Sequence, residues 1–263
     1  MEIDKGRMIL SEFEKVLADY RGPAIVCIQA GNVNTGAFDP LAEIIALCKK
    51  RDIWMHVDGA SGLWAAASDR FRHLVAGLEK ADSWATDAHK WLNVPYDSGM
   101  VFVRDQAAHR GFKTAQCAYA ASGDQTLRDG SQWVPENSRR ARGFVLYAAL
   151  RHLGRSGVRD LVDRCCDMAA LFAAELVKLP HVRILNEVIL NQVLFRIDPP
   201  GVPDADAFHA AAAARIQRYG MCWLGTTRWR GRTALRISVS NSATGPADVQ
   251  RSVQALSKAI NEV

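Results

Sequence analysis

The sequence predicts an α/β protein, and three observations carry that expectation. First, Ile53-Trp54-Met55-His56-Val57 is a bulky apolar run that ends in Asp58 and two small residues, Gly59 and Ala60. Such a run is the pattern of a buried parallel strand, here with an acid at its carboxyl end. Second, strand, helix and strand patterns follow one another at Ala24–Ile28, Leu41–Lys50 and Ile53–Val57. That order predicts a parallel pair with a right-handed crossover, which sets the loop Gly31–Gly36 beside Asp58. Third, helical and strand patterns alternate after Pro180, as in a smaller α/β sandwich.

The elements follow in order. Met8–Tyr20 reads as an amphipathic helix with Ile9, Phe13, Val16 and Leu17 on one face, ended by Gly22-Pro23. The helix from Leu41 is entered through Asp39-Pro40, an N-cap followed by a first-turn proline. Ser68–Gly77 is expected to be helical, and Ser83–Thr86 and Met100–Val103 to be short strands. Tyr119–Pro135 is polar and rich in small residues, the composition of a long mobile loop or lid. Gly143–His152 and Val158–Lys178 read as helices. Beyond them strands are expected at Val182–Leu185, Val193–Ile197, Cys222–Thr226 and Thr233–Val239, with helices at Asp204–Tyr219 and Ala247–Ile260. The division this suggests is a larger unit over residues 1–155, then a linking helix and small domain over 156–263.

Composition narrows the function. A chain of 263 residues, 49% of them hydrophobic, can bury a substantial core. The net charge of +5 and the arginines at 139, 140, 142, 151, 155 and 159 suit anions. No nucleic-acid module accompanies them, so a solvated arginine face with one or two arginines serving a site is the simpler account. The six cysteines include no C-x-x-C pair, which argues for reduced thiols, and the histidines show no metal-ligand spacing. No apolar run approaches the length of a membrane span and the start lacks a signal core, so a cytoplasmic location is expected.

The chemistry concentrates at Ala85-Thr86-Asp87-Ala88-His89-Lys90-Trp91-Leu92 and at Asp58. A lysine in the turn after a strand stands at the carboxyl edge of the sheet, where ligands bind. Desolvation beside Trp91 and Leu92 is expected to favour its neutral, nucleophilic form. An acid closing a buried strand needs a cationic partner, and a pyridinium nitrogen would serve. Each residue also has an ordinary reading, Lys90 as a surface lysine and Asp58 as a cap.

Taken together, His56-Val57-Asp58-Gly59-Ala60, Phe71-Arg72-His73-Leu74, Ala81-Asp82-Ser83 and His89-Lys90-Trp91-Leu92 with Pro95-Tyr96-Asp97 resemble the group II pyridoxal-phosphate-dependent amino-acid decarboxylases. These are the relatives of aromatic-amino-acid and glutamate decarboxylases. Pro135–Arg142, Ala148–Arg151 with Gly154 and Gly157, and Leu235–Asn241 are similar to the bacterial branch. The resemblance implies the carboxyl-terminal portion of a fold type I, aspartate-aminotransferase-like protein. It implies pyridoxal 5'-phosphate as cofactor, decarboxylation of an L-amino acid, and a homodimer in the full-length form. Lys90 would form the internal aldimine, Asp58 would pair with the ring nitrogen, Ala60 would lie against the ring face, and His89 would sit near phosphate or substrate. Asn32 is a weaker cofactor contact, and Arg236 matches the place where this wider fold often holds a substrate carboxylate. An arginine on a solvated strand face is the ordinary reading of Arg236.

The chain departs from the family pattern in four respects. Val33, between Asn32 and Asn34, stands where many relatives have threonine, and Asp87 stands where several have asparagine. Gly130 occupies the position of a loop tyrosine that relatives use to protonate the product carbon, and its loss is associated with aldehyde formation. Full-length relatives carry roughly as many residues again before the part resembled here. The competing readings are therefore an aldehyde-forming enzyme and a non-catalytic remnant or interaction module with an exposed sheet edge.

Overall fold

The computed structural model describes residues 3–111, 130–136 and 138–262. The expected loop Tyr119–Pro135 falls outside the described residues as far as position 129. A two-stranded ribbon, β1 (Ile3–Asp4) and β2 (Arg7–Met8), precedes α1 (Leu10–Asp19).

The first large sheet has the order β3 (Ile25–Gln29), β4 (Trp54–Asp58), β5 (Ser83–Asp87), β6 (Gly99–Val103). β3, β4 and β5 run parallel, whereas β6 turns back antiparallel on β5. The register aligns Gln29 with Asp58 and Asp58 with Ala85, so the carboxyl ends of the parallel strands form one level edge. The crossover helix α2 (Leu41–Lys49) buries Leu41, Ile44, Ile45 and Cys48, an i, i+3, i+4, i+7 stripe, in the same core as Ile28, Met55 and Val57. The opposite face stays open: Ile25 is 69% exposed and Val101 53%, and Cys27 and Gln29 also face solvent.

At the carboxyl edge two loops touch backbone to backbone. Gly31 has φ 93°, and a Cβ on Gly62 would lie 2.3 Å from the Ala30 carbonyl oxygen. Glycine is therefore required at Gly62 by contact and at Gly31 by conformation as well.

Three local expectations change. Asp39 does not cap α2: its carboxylate accepts the N–H groups of Met8 at 2.6 Å and Gln29 at 2.7 Å, tying the ribbon to β3. A buried carboxylate satisfies its acceptors wherever free N–H groups lie, and here those belong to strand ends. Ser68–Gly77 contains only the 3₁₀ turn Arg72–Val75, between the 3₁₀ turns Gly62–Ala67 and Leu78–Lys80. Backbone at this crowded edge turns tightly and the segment is too short to propagate an α-helix. The strand expected at Cys222–Thr226 begins at Gly225, giving β9 (Gly225–Trp229), because its partner β10 (Arg232–Ser238) pairs Arg236 with Gly225.

After α3 (Ala88–Trp91) and α4 (Gln106–Gly111), the two expected helices form one, α5 (Arg142–Leu176), broken in direction at Gly154, whose φ 62° and ψ −175° are not helical. Its second half, with α6 (Ala205–Tyr219) and α7 (Pro246–Asn261), packs on an antiparallel sheet of order β7 (Val182–Ile184), β8 (Gln192–Ile197), β10, β9. Every residue of β8 is buried, including Arg196, whose Nε donates to Asp198 at 3.2 Å.

His209 of α6 is fully buried; its Nε2 accepts the Ile197 N–H at 3.0 Å and its Nδ1 faces the Ala205 carbonyl. Burial pushes its pKa below the ordinary histidine value. Below about pH 6.5 the unfolded chain then binds more protons than the folded one, so stability present above that pH falls as pH falls, by at most about 1.4 kcal/mol per unit. Urea unfolding between pH 7.5 and 5 checks this, and His209→Gln should flatten the slope.

Candidate active site

The lysine turn is built by the geometry of a single helical turn. Ala88 and Trp91 lie three residues apart and are buried together, which leaves His89 and Lys90 on the outer side. Trp91 is 1% exposed and its indole meets the thiol of Cys165 on α5, a thiol that burial pushes up in pKa. Trp91 and Leu92 therefore belong to the core. The Lys90 side chain is 40% exposed, and its Nζ lies 2.8 Å from Asp87 Oδ2. Asp87 is thus the partner of the lysine, a relationship the sequence hinted at only through their i, i+3 spacing.

Asp58 ends β4 with its carboxylate at the open edge. Oδ1 accepts the Ala60 N–H at 3.0 Å, and among the described residues no cationic side chain pairs with it. The acid is exposed, not buried as its strand suggested, because among the described residues nothing covers this face of the sheet. Ala60 joins the two halves: its carbonyl accepts the Asp87 N–H at 3.3 Å, while the Asp87 carbonyl accepts the Trp64 indole N–H at 3.3 Å. Asp58, Ala60, Asp87 and Lys90 are therefore linked by successive hydrogen bonds and one ion pair along the edge.

His89 stands beside them, 12% exposed, with Nε2 3.7 Å from Asp87 Oδ2. Its Nδ1 lies 3.0 Å from the Ser98 N–H and 3.1 Å from the Ser98 carbonyl. Neutral imidazole accepts the N–H there and places its own proton on Nε2, toward Asp87. The Tyr96 ring covers the imidazole at 4.1 Å between centroids. The turn is fixed to the loop after β10 by Asn93, whose side-chain amide donates to the Ser240 carbonyl at 2.7 Å and accepts the Ser242 N–H at 2.7 Å. Tyr96 belonged to the motif that carries the resemblance but was given no role, and Asn93 and Ser98 were assigned none either, since their partners depend on the turn's folded path.

Asn32 is occupied by its own loop. Its carbonyl accepts the N–H groups of Asn34 at 2.9 Å and Thr35 at 3.2 Å, and its amide donates to Gln29 at 2.9 Å. Arg236 lies against the same loop, donating from Nη1 to the Val33 carbonyl at 2.6 Å. Burial lowers its pKa, and no carboxylate pairs with it among the described residues.

An amine and an unpaired carboxylate on the edge of a parallel sheet suit a cofactor with an aldehyde and a basic ring nitrogen, the chemistry of pyridoxal phosphate. The donor set fits those two ends of the group. The class this defines is that of pyridoxal-phosphate proteins built on a mixed α/β sheet. Residues 1–198 match the pyridoxal-dependent decarboxylase conserved domain, and the chain belongs to that family. It is 30% identical to L-2,4-diaminobutyrate decarboxylase of Rhizobium meliloti (strain 1021), over 98% of this chain and 53% of that protein. It is 28% identical to aromatic-L-amino-acid decarboxylase of Drosophila lebanonensis, over 98% of this chain and 63% of that protein. The crystal structure of mouse CSAD superposes with a TM-score of 0.88 at 24% identity, over 98% of this chain and 57% of that one. That of Rhodiola rosea 4-hydroxyphenylacetaldehyde synthase gives 0.85 at 20%, over 98% and 55%. These neighbours bear out the fold type I α/β class, and the chain spans roughly half the length of the relatives it matches.

Asp87→Asn is predicted to raise the rate at which Lys90 is acetylated by acetic anhydride about twofold to fivefold, as expected for loss of a partly exposed ion pair. Peptide mapping by mass spectrometry, with other lysines as internal reference, reads the change.

Proposed function

We propose that this chain carries the lysine-bearing half of a pyridoxal-phosphate-dependent L-amino-acid decarboxylase, a carboxy-lyase. The observation that supports this most is the Asp58 carboxylate, unpaired among the described residues and linked through Ala60 and Asp87 to Lys90. Pyridoxal phosphate, when bound, supplies an electron sink for the pair of electrons left behind as carbon dioxide departs. Lys90, whose Nζ rests on Asp87, would be the amine that holds the cofactor by its aldehyde. Asp58 would hold a proton at the ring nitrogen through its negative charge. Ala60, with only a methyl group, permits close approach of a ring. His89 offers an Nε2 proton on the Lys90 side of the turn, and Asn32 steadies the neighbouring loop. Arg236 is the candidate anchor for a substrate carboxylate, because its guanidinium is half-buried with, among the described residues, only a backbone carbonyl for partner.

The remaining part of such a site corresponds to the portion of the relatives that lies outside the match. The open sheet face and the exposed Phe144, Tyr147 and Leu150 of α5 are apolar surface that such a portion would cover. In that assembled form we place the protein in the cytoplasm as a homodimer acting on an amino acid, with no nucleic-acid or membrane partner. No helix among the described residues is long and apolar enough to cross a membrane.

A second reading has one observation in its favour. Gly130 opens the 3₁₀ turn Gly130–Trp133, and a Cβ added there meets nothing within 4 Å. No side chain at this position reaches a product carbon, which favours an aldehyde over an amine as product. A non-catalytic remnant is the outcome if the lysine captures no cofactor.

The test is cofactor capture. Pyridoxal phosphate followed by borohydride is predicted to label Lys90, and Lys90→Ala to lose that label; an unlabelled Lys90 in folded protein rejects the proposal. Asp58→Asn should keep the label while lowering carbon dioxide release from the assembled enzyme about 100-fold or more, in the range for loss of a preorganised charge. Equal turnover in that variant would remove Asp58 from its assigned role.

A further inference from the structure

The start of α5 grips the far end of the lysine turn. Arg142 makes a two-pronged contact with Asp97, Nε to Oδ1 at 2.8 Å and Nη2 to Oδ2 at 3.0 Å. Arg140 donates to three successive carbonyls, from Nη1 to Tyr96 at 2.7 Å and from Nη2 to Pro95 at 3.4 Å and Asp97 at 3.3 Å. Together they fix the backbone of residues 95–97 at every carbonyl and at the one acid it carries. The residue so held, Tyr96, is 70% exposed and has no packed core to orient it, yet its ring lies over His89. Ser98, next in the chain, supplies the N–H that sets the His89 tautomer.

We propose that Arg140 and Arg142 are positioning residues for the catalytic turn, holding Pro95–Asp97 so that Tyr96 and Ser98 fix the His89 imidazole beside Lys90. They touch neither the lysine nor any reacting atom, and they act through the Tyr96 ring and the Ser98 amide. The guanidinium fork matters more than the charge, because only a planar, two-pronged donor spans both carboxylate oxygens while its neighbour spans consecutive carbonyls. The Asp97 carboxylate is held down to a pKa of about 2, first by its hydrogen bonds from Arg142, so the grip persists through the mildly acidic range. The inference deepens the proposed site, but its geometry stands whether or not the cofactor is captured.

The experiment uses the full chain without cofactor. Carbethoxylation of His89 by diethyl pyrocarbonate, followed by peptide mapping, reads how well the ring is covered and held. Arg142→Gln is expected to raise the His89 rate about threefold or more, Tyr96→Ala to raise it likewise, and the double variant to add little, as coupled residues do. Arg142→Lys, which keeps the charge without the fork, should behave nearer to Arg142→Gln than to the unaltered chain. Thermal unfolding should be unchanged, since exposed ion pairs add little stability. Unaltered His89 reactivity in Arg142→Gln and in Arg140→Gln, or full additivity with Tyr96→Ala, overturns the proposal. A variant that loses its fold also overturns it, by showing that the arginines support the structure as a whole. Addition of pyridoxal phosphate to the same proteins separates the two readings: an unlabelled Lys90 counts against the enzyme, and the histidine rates still decide the arginines.

Discussion

The buried side of one helical turn is the constraint on which the site depends. Trp91 is anchored under the sheet edge against α5, and a turn with one large side chain pinned in a packed core has little freedom to rotate. Its opposite side is then fixed too, which sets His89 and Lys90 on the outer side of the turn. Truncating a buried tryptophan typically removes about 3–5 kcal/mol of stability. The anchor of the lysine is therefore also part of the core.

Around that anchor the chain uses contacts from distant parts of the sequence. Asn93 fastens the turn to the loop after β10, Arg140 and Arg142 fasten its end to α5, and Ala60 fastens its beginning to β4. Glycines at positions 31 and 62 allow the neighbouring loops to meet with no side chain between them. The result is an edge on which Asp58, Ala60, Asp87 and Lys90 share one line of contacts. Chemical groups held on such a framework need little reorganisation when a ligand arrives.

The open face tells a complementary story. Sheets of parallel strands are ordinarily covered on both sides, yet here Ile25 and Val101 are exposed on one of them. This chain spans roughly half the length of the relatives it matches. Asp58 lies on the same open face and shares its exposure. An acid that would need a partner if buried is tolerated here because water reaches it.

By itself the sequence determined what depends on neighbours along the chain. Apolar periodicity located α2, α5, β4 and β8, and the residue types at Asp58, His89 and Lys90 pointed to one kind of cofactor. Short motifs are legible because they are contiguous. What only the tertiary structure decided was which groups each of these residues meets. Asp39 looked like a cap and instead binds the backbone of Met8 and Gln29; Trp91 looked like a cover for Lys90 and instead lies beneath it. Cys222–Thr226 had the composition of a strand, yet its pairing begins at Gly225 because β10 sets the register. Likewise Tyr96 and Arg142 are 46 positions apart in the sequence, and their shared work on His89 exists only once α5 crosses the lysine turn. Hydrogen bonds and ion pairs are chosen by whichever groups the packed chain brings within reach, and that choice is made by the core and not by local sequence.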